Sequence, residues 1–267
     1  MDTRTHRFPL TGERPAIEVR NPGGSVTVEA REGVDELVVD ITPLDGAAEQ
    51  LVDRIGLFFT HARLQVEVPE RRLLRTPSFA ISVLTPPDAD VRVATASADT
   101  TLRGRLGTAE LTSASGDIAV EQCGRLELRT ASGDGRIGTA TGPVTAATAS
   151  GDLRVGSAAA GFKGRTASGD IAVEEATGDV SLSTASGDLT ISRIDAGSVQ
   201  AKTMSGDVEV GVVPGLRVWL DLSSVSGRMN SQLPDDDGAA GEGPAQVSLS
   251  LRSVSGDLRI RRVAAAG

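Results

Sequence analysis

The pentapeptide Thr-Ala-Ser-Gly-Asp stands at residues 130–134, 148–152, 166–170 and 184–188, and a version with methionine in second place stands at 203–207. No other feature limits the fold so strongly. The motif serine falls at Ser97, Ser115, Ser132, Ser150, Ser168, Ser186, Ser205, Ser226 and Ser255, with steps of 18, 17, 18, 18, 18, 19, 21 and 29 residues. A near-constant period of this length marks a solenoid, in which each repeat buries its apolar face only against its neighbours.

Each period holds two apolar alternations. Pairs such as Ile118/Val120, Leu153/Val155, Ile171/Val173, Leu189/Ile191 and Val208/Val210 follow the Gly-Asp; Leu126/Leu128, Val180/Leu182 and Val199/Ala201 come about nine residues later. Strict alternation is the pattern of a half-buried strand. Between the two strands stands a second glycine (Gly124, Gly142, Gly161, Gly178 or Gly197). One coil is therefore strand, glycine turn, strand, Ser-Gly-Asp turn, and stacked coils pair as parallel strands about 4.8 Å apart. Composition agrees, since aromatics are only 2% of residues and tyrosine is absent, and thin coils need only small aliphatic cores.

Strand parity carried into the motif places Thr130 and Ser132 inside and Ala131 outside, and likewise Thr184, Ser186 and Ala185. The motif glycine is expected to need a positive φ. The aspartate is expected to accept N–H groups just beyond it, as in an Asx turn. The pentapeptide thus reads as a corner, repeated because every coil must turn.

The array is expected over 91–267, and residues 1–90 read as entry coils and a cap. "AIEVRNPGGSVTVEA" (16–30) is a degenerate strand–turn–strand coil, followed by strands at "LVVDITP", "RLQVEVP" and "FAISVLTPP". "DGAAEQLVDRIG" (45–56) is a short helix behind the N-cap Asp45. The 29-residue step contains "SQLPDDDGAAGEGPA" (231–245), read as a mobile acidic loop. The expected fold is all-β, a single β-solenoid (β-helix) of about 18 residues per coil with irregular N-terminal coils and one short helix as cap.

These residues resemble a bacterial family of unknown function whose members are named as candidate adhesins with β-strand repeats. "NPGGSVTVEA", the short helix, the passage "VEVPE…ISVLTPPDADVRVATASADTTLRG" and the SGDI/SGDL coils carry the resemblance, which covers nearly the whole chain. It implies a single β-solenoid with no established catalytic residues.

Function classes are narrowed by what the residues can support. Net charge is −9 and the basic residues are scattered, so nucleic acid is not an expected partner. "GDGRIG" (133–138) fits a dinucleotide fingerprint but leads into "TATGPV" rather than a helix. Calcium rolls repeat Gly-Gly-x-Gly-x-Asp, whereas here one aspartate recurs per 18 residues, at Asp117, Asp134, Asp152, Asp170, Asp188 and Asp207. An ice-binding face would need exposed Thr130, Thr148, Thr166 and Thr184, which parity sends inward. His6 and His61 lie outside the array with no nucleophile motif beside them, and Cys123 reads as a small corner residue. No catalytic, cofactor-binding or metal-binding residue is assigned, and no cofactor is expected.

The reading is a non-enzymatic scaffold or protein-binding module whose protein partner is unknown. The alternatives are an envelope- or surface-associated adhesin-like module and a carbohydrate-active β-helix enzyme. The opening "MDTRTHRFPLTGERP" has no apolar h-region and no run reaches the length of a membrane span, so a cytoplasmic location is expected. One cysteine fits a reducing compartment. At the C-terminal end, Leu258 and Ile260 are expected to face the core from the last coil. Either Arg259, Arg261 and Arg262 blunt that edge or a second copy covers it, making a homo-oligomer.

Overall fold

The computed structural model describes residues 2–69, 76–233 and 245–263. The chain forms two compact units, Met1–Ile137 and Gly138–Gly267, both built of β-coils.

The first unit contains β1 (Arg4–Pro9), β2 (Ala16–Asn21), β3 (Gly24–Ala30), β4 (Glu36–Pro43), α1 (Gly46–Glu49), β5 (Gly56–Thr60), β6 (Arg63–Glu67), β7 (Phe79–Thr85), β8 (Asp90–Thr95), β9 (Asp99–Ser113) and β10 (Ile118–Thr130). β11 (Gly135–Ala140) follows. The first coil in sequence is not outermost in space. β2 runs parallel between β6 and β8, and β3 runs parallel between β7 and β9. Antiparallel strands close the outer side: β5 on β6, β4 on β7 and β1 on β4. β1 and β5 are elements that the alternation did not announce. The helix is shorter than its sequence suggests, one turn followed by a 3-10 turn at Val52–Arg54. Asp45 does cap it, accepting from the Ala48 N–H at 2.7 Å, and its second oxygen accepts from Ser78 N–H at 3.1 Å.

The second unit has two sheets of wholly parallel strands. It is formed by β12 (Val144–Ala147), β13 (Leu153–Ala158), β14 (Phe162–Arg165), β15 (Ile171–Ala176), β16 (Val180–Ser183), β17 (Leu189–Ile194), β18 (Gly197–Ser205), β19 (Val208–Val212), β20 (Val218–Ser226), β21 (Met229–Ser231), β22 (Val247–Ser255) and β23 (Leu258–Arg262). One sheet runs β12–β14–β16–β18–β22–β20, the other β13–β15–β17–β19–β23–β21. Leu153, Ile171, Leu189 and Val208 occupy one inward row, so the period of the sequence is the register of the sheet. All the alternating apolar pairs named above are buried, as parity requires.

The last coil in sequence (β22 and β23) is inserted between the two preceding it. Leu258 and Ile260 are consequently buried at 0% and 1% exposure, and the expectation that they front an open end is corrected. Among the described residues the coil paired on one side only is that of β20 and β21. Residues 234–244, most of the expected acidic loop, and 264–267 lie outside the described residues.

Candidate functional site

The motif corner is built by contacts within each coil and between neighbouring coils. Thr130, Thr148, Thr166 and Thr184 point inward and are 8–9% exposed. Thr130, Thr148 and Thr166 each accept from the glycine N–H three residues on, at 3.1, 3.0 and 3.0 Å, whereas Gly187 N–H donates to the Ser205 carbonyl at 3.0 Å. The hydroxyl proton goes to the preceding coil, as in Thr184 Oγ1 to the Gly169 carbonyl at 3.4 Å. The serines differ from expectation. Ser132 and Ser186 are exposed, because the chain leaves strand geometry after the threonine and parity ends there.

The aspartates also differ from expectation. Asp99, Asp117, Asp152, Asp170, Asp188 and Asp207 each accept from the backbone N–H of the aspartate in the adjoining coil, not from their own turn. Asp117 Oδ1 receives Asp134 N–H at 2.9 Å, Asp170 receives Asp188 at 2.8 Å, Asp188 receives Asp207 at 2.8 Å, and Asp207 receives Asp257 at 2.8 Å. Like charges in a row are tolerated because each is anchored to an amide dipole. The row ends where Asp257 accepts the Arg228 N–H at 2.9 Å. That donation holds the Asp257 carboxyl below its ordinary value of 3.8. Arg228 replaces the aspartate and offers no carboxylate to a following coil. The hydrogen-bonded row therefore ends at the coil that carries Arg228.

The motif glycines have a different reason from the one expected. Of them only Gly206 has a positive φ (148°). A Cβ on Gly169 would instead lie 2.0 Å from the Gly151 carbonyl oxygen, so the glycine is required by close approach of backbone to backbone. Positive φ belongs to the opposite turn, at Gly161 (92°), Gly178 (89°) and Gly197 (104°).

The corner also carries an exposed column at the second motif position. In the second unit it begins with the small Ala149, Ala167 and Ala185, all exposed, and ends with Met204, Val254 and Val225 on three adjacent coils. These three are 61%, 49% and 81% exposed. Nearby on the terminal coil, Trp219 and Met229 are each 55% exposed. The methionine of the 203–207 motif is visible in the sequence, but its adjacency to Val254 and Val225 depends on the exchanged coils.

Other candidate groups are held in structural roles. Cys123 is buried, and burial pushes its thiol up to about 11. His61 and Ala62 occupy the two-residue turn between β5 and β6 at φ 49° and 54°, the primed-turn geometry that suits a hairpin. A groove of about 290 Å³ crosses β6, β2, β8 and β9, but its charges compensate, Arg92 pairing with Glu110 and Arg14 with Asp90. Among the described residues no cluster of three or more His, Cys, Asp or Glu is placed to hold a metal ion, and no helix is long and apolar enough to cross a membrane.

The Toastrack DUF4097 family model matches residues 63–261. No curated protein matches the chain. A solved candidate adhesin from Bacteroides fragilis is 14% identical, with 98% of this chain and 97% of that one covered and a TM-score of 0.49. One from Parabacteroides distasonis is 12% identical with the same coverages and a TM-score of 0.46. A candidate lipid-binding protein, also from Parabacteroides distasonis, is 11% identical over 98% and 97% of the two chains, with a TM-score of 0.34.

Proposed function

The chain belongs to the Toastrack DUF4097 family, and from that premise we propose that it is a non-enzymatic β-solenoid scaffold that works in the cytoplasm through protein contacts. The observation that carries the proposal is the exposed column of Met204, Val254 and Val225. Single exposed apolar side chains are ordinary, but a contiguous apolar surface rimmed by polar residues is the usual form of a protein-contact site. Three large side chains stacked at the spacing of adjacent strands, about 4.8 Å, make such a surface, and methionine adapts its shape to a partner.

The recurrent polar groups support the same reading. Thr166 and Thr184 and the Oδ1 atoms of Asp117, Asp170, Asp188 and Asp207 are engaged in building the corner. A single cysteine in 267 residues fits a reducing compartment. The test is a photo-crosslinking residue at position 204 in the native host, with Ala149 as the control site in the same column. The expected result is an adduct with a discrete protein from position 204 that Val254→Ser abolishes. Absence of any adduct at 204 would refute the contact surface. Recovery of the chain in the envelope fraction would replace the cytoplasmic assignment with the adhesin-like reading.

A further inference from the structure

We propose that β20 pairs antiparallel with β20 of a second copy, closing a two-fold dimer centred on Leu222. The inference rests on reading the chain as a contact-forming module and adds which edge associates, with what, and in which register.

Among the described residues β20 pairs only with β22, so within that set one side of a nine-residue strand has no backbone partner. Its inward residues Val218, Leu220 and Leu222 stand in register with Val247, Leu249 and Leu251. The latter three are fully buried, whereas the former are only half-buried, with no described coil beyond them.

The edge also lacks the usual protection. Natural edge strands are blunted with charge, proline or a covering element. β1, an edge of the first unit, follows that rule with Arg4 and Arg7, which pair with Asp53 and Glu36. β20 reads Val-Trp-Leu-Asp-Leu-Ser-Ser-Val-Ser, with Asp221, paired to Arg252 of β22, its single charged residue and no proline.

The strand is self-complementary. Antiparallel pairing about Leu222 sets Trp219 opposite Val225, Leu220 opposite Ser224 and Asp221 opposite Ser223, with inward positions meeting inward positions. The exposed Trp219 and Val225 then cover one another twice, and an aromatic against a β-branched residue is a favourable cross-strand pair. A shift by one residue in each strand centres the pair on Asp221, sets Trp219 opposite Ser223 in place of Val225, and brings two carboxylates face to face, each paired with its own Arg252.

Closure into a dimer, rather than growth of a fibre, is favoured by Arg228. A coil added in the chain's own parallel direction would find at Arg228 no carboxylate for its corner amide, such as Asp257 gives to Arg228 N–H. Isologous antiparallel pairing makes no such demand and uses up the edge.

The test exploits the fact that Trp219 is the only tryptophan and that tyrosine is absent. Light scattering and tryptophan emission are measured together on the full chain from high nanomolar to tens of micromolar. The expected result is a mass rising from 27.4 kDa to twice that value, with the emission moving to shorter wavelength over the same range. Two variants of the exposed Ser223 test the register without entering the core. Ser223→Asp places a carboxylate opposite Asp221 of the other copy and should weaken the dimer by about tenfold, whereas Ser223→Lys should tighten it. A monomer at tens of micromolar, a dimer whose emission does not change on dilution, a mass that keeps growing with concentration, or equal behaviour of the two variants would each overturn the proposal. Position 223 lies outside the pair at 204 and 254 that tests the proposed function, so failure of the dimer and failure of the contact column are read separately.

Discussion

Gly169→Ala tests the reason for the repeated glycine. The new Cβ would lie 2.0 Å from the Gly151 carbonyl oxygen and 2.7 Å from its carbon, both backbone atoms held in the neighbouring coil. Relief requires the coils to separate at the corner, which strains the Thr166 hydroxyl bond to the Gly151 carbonyl (3.4 Å) and the Asp170 N–H bond to the Asp152 carboxylate (3.0 Å). Overpacking costs about 1–3 kcal/mol and each net hydrogen bond about 1 kcal/mol, which gives roughly 3–4 kcal/mol. Gly178→Ala is the comparison, since its φ is +89° but its nearest neighbour is a comfortable 3.4 Å away. Left-handed strain alone should cost about 1–2 kcal/mol there. The gain of about 0.4–1 kcal/mol from a stiffer unfolded chain applies to both and cancels. Thermal melts followed by far-UV circular dichroism should show a fall of about 6–16 °C for Gly169→Ala and about half that or less for Gly178→Ala. Ala167→Ser, on the exposed neighbour, should stay within about 0.5 kcal/mol of the parent. A Gly178→Ala loss equal to or larger than that of Gly169→Ala would refute the close-approach argument.

Millimolar calcium or EDTA should leave the melting temperature unchanged, because the Oδ1 atoms of Asp170, Asp188 and Asp207 already receive backbone amides; a rise of several degrees with calcium would contradict this. The depressed Asp257 carboxyl contributes stability that is complete above its unfolded value of 3.8 and is lost as pH falls through the folded value. Asp257→Asn should therefore be less stable than the parent at neutral pH, with the difference shrinking below 3.8, as denaturant titrations across that range would reveal. Cys123, buried and shifted up to about 11, should react with Ellman's reagent at pH 8 only after denaturation; rapid labelling of the native chain would disprove its burial.

What could be read in the sequence was local and periodic. Alternation in pairs such as Ile171/Val173 and Val180/Leu182 reports which side of a strand is dry, because successive side chains point to opposite faces whatever lies next to the strand. The 18-residue step reports the register, since equal coils stacked in parallel must repeat their inward rows. Even the inward threonine follows, as the last residue that still obeys strand parity. The serine after it did not follow, because parity has no meaning once the backbone turns. The role of each aspartate, the clash that demands each motif glycine, and the join of Met204, Val254 and Val225 into one surface belong to the tertiary structure. All three are relations between coils, and they depend on which coil lies beside which. That neighbour is set by where the connections let the chain travel, as when residues 213–217 carry it past one coil position and β22 and β23 return to fill the gap. The aspartate row follows this spatial order rather than the order along the chain, since Asp207 receives Asp257 N–H and Asp257 in turn receives Arg228 N–H.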